Sequence, residues 1–201
     1  MMSTISKHLI DWLIREGTIQ PADRELYFYA AYCFFFAWTP TFLLIIISAC
    51  LGILPEALLL ILPFMTIRRF CGGFHARTPQ TCLVISCSLL AVFMYLTVHA
   101  IFDTKLYLIL IIASISLIIN SPIMSPQRPA TPEEQKHFRQ IVLIAVILYN
   151  SIILPLNQTS FRHWSICLAL GSILSALLQV PCIIKKLISV RLTTHIENAL
   201  I

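Results

Sequence analysis

The chain has 201 residues, 58% of them hydrophobic and 11% charged, with a mean hydropathy of +0.87. A soluble domain is about 25% charged, so this chain has too few charges to clothe a water-facing surface and reads as an integral membrane protein. The formal net charge of +5 is scattered over short polar segments, which speaks against a nucleic-acid role and makes the lipid bilayer the expected partner.

The first 25 residues carry Lys7, Asp11, Arg15, Glu16, Asp23, Arg24 and Glu25 and lack the apolar core of a cleavable signal. Residues 5–14 read as an amphipathic helix. Ile5, Leu9, Trp12 and Leu13 fall on one face, with Lys7, His8, Asp11 and Arg15 largely off it, so the helix is expected to lie in the membrane interface. The apolar runs that follow are continuous, as in residues 106–119, whereas barrel strands alternate apolar and polar residues. The expected fold is therefore an all-α membrane protein, a bundle of six transmembrane helices. The segments are 26–52, 55–67, 81–102, 105–121, 138–156 and 164–184. The second is short against the ~20 residues needed to span; it contains Pro63 and is expected to be tilted or re-entrant. One domain covers 1–201, with an interfacial segment 1–25, a bundle 26–184 and a tail 185–201.

Charge supports this count. With both termini on one side, that side collects Lys7, Arg15, Arg24, Arg68, Arg69, Arg77, Arg128, Lys136, Arg139, Lys185, Lys186 and Arg191. These are 12 of the 14 Lys and Arg; only Lys105 and Arg162 face the other way. The positive-inside rule then places both termini, and the polar segment 68–82, in the cytoplasm. Seven cysteines are an odd number, several lie inside apolar runs, and all are expected to be reduced.

Segment 68–82 holds the chemistry. His75 and Cys82 lie seven residues apart, after the Gly72-Gly73 pair and beside Arg68, Arg69 and Arg77. Thr78 suits an N-cap and Pro79 a first helical position, which puts Cys82 about four residues into a helix. The positive end of that helix and the nearby arginines favour a thiolate. In one straight helix the two residues would stand ~10 Å apart along the axis. The glycine pair permits a turn that lets His75 fold back over the helix start, the geometry a Cys–His dyad needs. Cys71 competes as nucleophile, being also near His75. Cys71, His75 and Cys82 would make three zinc ligands, but no HExxH or second Cys/His cluster accompanies them, so no metal and no cofactor is expected. Gln80, Glu56 and Asn120 are candidates by residue type to orient His75. Asn150, polar at depth, is expected to contact another helix or the substrate. Glu133 and Glu134 after Thr131-Pro132 read as a helix first turn.

These residues carry a resemblance. Arg68, Gly72, Gly73, His75, Ala76 and Cys82 are similar in register to the signature of the accessory gene regulator B (AgrB) family, an Arg followed by Gly-Gly-x-His-Ala and a Cys seven residues after the His. The loop after the fourth segment, with Pro122, Pro126, Arg128, Pro129, Pro132 and Lys136, resembles the family's second cytoplasmic loop, and the chain length and amphipathic start agree. The resemblance implies a membrane cysteine endopeptidase of peptide quorum sensing in a Gram-positive cell membrane. Its partner would be an AgrD-like precursor peptide, with Cys82 as nucleophile and His75 as general base. Cleavage would leave a Cys82 thioester that an internal Cys or Ser of the precursor closes to a thiolactone or lactone. Arg68, Arg69, Arg77, Gly72 and Gly73 would bind the substrate or shape the loop. A homodimer is a further expectation, because a short second span leaves polar backbone needing cover. The alternatives are a transporter of a small peptide, supported by the bundle alone, and a membrane acyl- or phosphotransferase carrying the group on Cys82 or His75.

Overall fold

The computed structural model describes residues 2–72, 78–123 and 131–188. Among these residues the fold is all helical, with no named strand: α1 (Met2–Arg15), a 3-10 turn (Pro21–Asp23), α2 (Arg24–Cys50), α3 (Leu54–Cys71), α4 (Pro79–His99), α5 (Thr104–Asn120), α6 (Pro132–Leu156) and α7 (Arg162–Leu177). After a turn at Leu178 and Gln179, residues 180–188 are helical again. Among the described residues four stretches are long and apolar enough to cross a membrane: Pro21–Cys50, Gln80–His99, Pro132–Leu156 and Arg162–Ile188. Thr104–Asn120 is apolar but shorter. α3 is 18 residues long and carries Glu56 in its first turn and Arg68 and Arg69 in its last.

One helix boundary departs from the sequence expectation and another agrees with it. α3 does not stop at residue 67 but runs on through Arg68, Arg69, Phe70 and Cys71. Arg and Phe continue a helix at little cost; Gly72, at φ 69°, ends it. α6 begins at Pro132, where Glu133 and Glu134 read as a helix first turn, and carries the expected segment 138–156 in its later part. Thr131 accepts from the Glu134 amide while the Glu134 carboxylate accepts from the Thr131 amide at 2.8 Å, a reciprocal cap that starts a helix before its apolar stretch is reached.

The chain divides into two compact units, residues 1–52 with 76–91, and 53–75 with 92–201. In the first, α1 packs on α2. Ser6 and Ile10 are buried while Ile5, Leu9 and Trp12 of the predicted apolar face are exposed. Arg24 donates through Nη2 (2.8 Å) and Nε (3.2 Å) to Asp11 Oδ1, tying the two helices at a half-exposed site where such a pair contributes about 0–1 kcal/mol.

In the second unit, α7 is the centre. Eleven of its residues are buried, against α3, α5 and α6. α5 turns Leu110, Ala113 and Leu117 inward, and α6 turns Val142, Val146, Tyr149 and Ile153 inward; both sets repeat at helical spacing. The contact of α3 with α7 is closest at Gly171, where a Cβ would stand 2.2 Å from the Leu60 carbonyl oxygen and 2.6 Å from Pro63 Cγ. Cys167, Gly171, Ser175 and Gln179 follow one another four residues apart, so they form one stripe down the helix. Ser175 Oγ donates to Phe64 O (3.4 Å) and Gln179 Nε2 to Cys71 O (3.2 Å). At the other end His163 Nε2 lies 3.5 Å from Glu56 Oε1. Start meets start and end meets end, so α3 and α7 run parallel. Asn150 Nδ2 donates to Ser114 Oγ at 3.0 Å, the interhelical one of the two contacts expected of it.

Candidate active site

Cys82 sits in the first turn of α4, in the first unit. Thr78 Oγ1 accepts from the Thr81 amide at 3.3 Å, and the Cys82 amide donates to Thr78 O at 3.1 Å. The Thr78–Pro79 start expected from sequence is therefore present, and it puts Cys82 at the fourth helical position. The Cys82 thiol is free and half-buried, reachable yet partly shielded from water. His75, with Gly73 and Arg77, lies outside the described residues.

The α3 end belongs to the second unit. Arg68 Nη1 donates to Gly72 O at 2.6 Å, a cation folded back on the last carbonyls of its own helix, where the dipole favours it. The Arg69 guanidinium lies over the Phe70 ring, 5.7 Å from its centroid, and Phe70 packs on Phe138. Gly72 is pinned. Its backbone bridges Ile123, whose amide donates to Cys71 O at 2.9 Å, and a Cβ on Gly72 would stand 2.3 Å from Ile123 O. Positive φ and this approach together leave room for glycine alone.

Cys71 is fully buried, and its Sγ donates to Gly72 O at 3.1 Å. It lies in the turn beyond residues 55–67. Burial pushes its thiol up to about 11, against the opposing pull of the Arg68 guanidinium. A sealed, protonated thiol is neither an available nucleophile nor a metal ligand, so Cys71 falls away as the rival of Cys82. Among the described residues no group of three or more His, Cys, Asp or Glu could hold a metal ion.

Of the candidates to orient His75, Asn120 turns back to Ser116 O at 3.0 Å. Glu56 pairs with His163 at the opposite end of α3 from Cys71, and Gln80 is exposed on the first turn of α4. Sequence reasoning missed Gln179. It is fully buried and donates through Nε2 to Cys71 O and, at 2.9 Å, to Ser121 Oγ. The signal available was a lone amide closing an apolar run just before Val180-Pro181.

Comparison with known proteins gives one finding. The family model of accessory gene regulator B matches residues 6–181. No curated protein and no solved structure matches the chain.

Proposed function

The chain belongs to the accessory gene regulator B family, a family that processes the accessory gene regulator autoinducer peptide in a membrane setting, and on that premise we propose that it is a cysteine endopeptidase and cyclase. The observation that carries this reading is the family match together with a free, half-buried thiol in the first turn of an apolar helix. Cys82 Sγ attacks the scissile carbonyl of an AgrD-like precursor. His75 takes the thiol proton and passes it to the departing amine of the C-terminal tail, leaving the precursor's N-terminal part as a thioester on Cys82. An internal Cys or Ser of the precursor then attacks that carbonyl. Its proton returns through His75 to the Cys82 sulfur, and the ring leaves as a thiolactone or lactone. A thioester is a more reactive acyl donor than the amide it replaced, so closure competes with hydrolysis where water is scarce; the entry of α4 into an apolar stretch supports such a setting.

The same reading takes the helices from α2 to α7 as six spans, the interfacial α1 as a surface anchor, and both termini with segment 68–82 as cytoplasmic. Arg68, Arg69, Arg77, Gly72 and Gly73 shape or serve the substrate path, in a single domain that pairs as a homodimer. The test is mass spectrometry of an AgrD-like precursor co-expressed with wild type, Cys82→Ala, His75→Ala and Cys71→Ala. Wild type and Cys71→Ala are expected to release the tail, and the other two are not. Release by Cys82→Ala would refute the thiol mechanism.

A further inference from the structure

Gln179 is the buried amide of the second unit that reaches two loops at once. Its Nε2 donates to the carbonyl of Cys71, at the end of α3, and to the hydroxyl of Ser121, just after α5. The same Cys71 carbonyl accepts from the Ile123 amide. A carbonyl only accepts, so the amide nitrogen must face it; this orientation leaves Gln179 Oε1 buried with no partner. Leucine would fill a similar volume without that unpaired oxygen. The glutamine is thus explained by what its nitrogen holds and not by packing. Its own position is fixed from behind: its amide donates to Ala176 O, and its carbonyl accepts from Cys182 and Ile183.

We propose that Gln179 is a positioning residue for peptide cleavage: by clasping Cys71 and Ser121 together, it fixes the chain where it leaves α3 and enters the segment that carries His75. The proposal rests on the peptidase reading above. Cys71 is two residues before the Gly73-Phe74-His75 step of the signature, so a shift of its carbonyl is passed on to the general base through very little chain. Gln179 also joins the end of α3 to the start of the second loop, beside the pairing of Ile123 with Cys71 and Gly72.

Two substitutions separate positioning from mere stability. Gln179→Leu removes both bonds at similar volume. Gln179→Glu keeps a donor to Cys71 O only while its buried carboxyl is protonated, so its rate relative to wild type should fall as pH rises. Both are assayed in proteoliposomes with a synthetic precursor, alongside deuterium uptake of the peptide covering Ile123. For Gln179→Leu we expect kcat to fall by about tenfold or more, with KM within about twofold of wild type, because a displacement near 1 Å at a reacting group is costly. Uptake at Ile123 should rise. A Gln179→Leu kcat within about twofold of wild type overturns the proposal, as does a Gln179→Glu to wild-type ratio that is flat in pH. If Gln179→Leu is lost from the membrane, the pH ratio decides alone. Cleavage by a parallel Cys82→Ala sample would sink the peptidase reading and the proposal with it, a failure told apart because it owes nothing to residue 179.

Discussion

Replacing Gly171 by alanine sets two physical effects of opposite sign against each other. In a helix interior alanine is favoured over glycine by about 1 kcal/mol, and a buried methyl adds about 0.8 kcal/mol of burial. On those grounds alone the variant would be the more stable protein. Yet the new Cβ would stand 2.2 Å from the Leu60 carbonyl oxygen and 2.6 Å from Pro63 Cγ. The nearer atom is backbone and cannot rotate aside, so α3 and α7 must part by about 1 Å to restore van der Waals contact. Such overpacking costs about 1–3 kcal/mol and occasionally more. A rigid ring and a helix backbone put this case at the upper end, and the net expectation is destabilisation by about 1 kcal/mol. Parting the helices also lengthens the Gln179–Cys71 bond, already 3.2 Å, so precursor cleavage should fall as well. Reversible unfolding of the purified protein in mixed micelles, followed by helical circular dichroism as SDS is raised, would give the stability change. A Gly171→Ala variant as stable as wild type, or more so, would refute the close parallel packing of α3 on α7.

Gly72→Ala should be worse placed still, since positive φ and the approach of Ile123 O both oppose a Cβ; loss of tail release and a lowered unfolding midpoint are expected, and wild-type behaviour in both would contradict the pinned α3 end. Thr131→Ala removes half of a reciprocal cap and should cost about 1 kcal/mol, visible as faster hydrogen exchange in the first turn of α6. Soluble maleimide at pH 7–8 should modify Cys82 before Cys71, because the Cys71 thiol is sealed and held protonated well above that range; equal labelling rates by peptide mapping would contradict its burial.

The parts of the fold written in neighbouring residues were legible. The apolar runs marked the helices, Thr78-Pro79 marked the start of α4, and Thr131-Pro132-Glu133-Glu134 held the signal for the start of α6. The end of α3 was misread because two arginines before a glycine pair look like a loop, although nothing in Arg-Arg-Phe-Cys obliges a helix to stop. The burial of Cys71 and the role of Gln179 were hidden for a different reason. Gln179 meets Cys71 across 108 residues and Ser121 across 58, so no local pattern announces either contact. Of the predicted site, Cys82 stands where the cap motif put it and Arg68 folds onto its own helix end. His75, whose role rests on the family signature, lies outside the described residues.

The parallel course of α3 and α7 bears on how the protein is made. Neighbours in sequence pack antiparallel through short turns, and a nascent chain can pair them as they emerge. α3 has no such neighbour for the face that carries Leu60 and Pro63; that face waits for α7, whose matching stripe is synthesised about a hundred residues later, as the 108-residue span from Cys71 to Gln179 records. Until then that face of a helix with a proline at its middle and arginines at its end stands without its partner, although α6 already packs on another part of α3. Ribosome-bound chains that stop before Arg162 should therefore leave α3 accessible to insertase or chaperone, and release it only when α7 arrives.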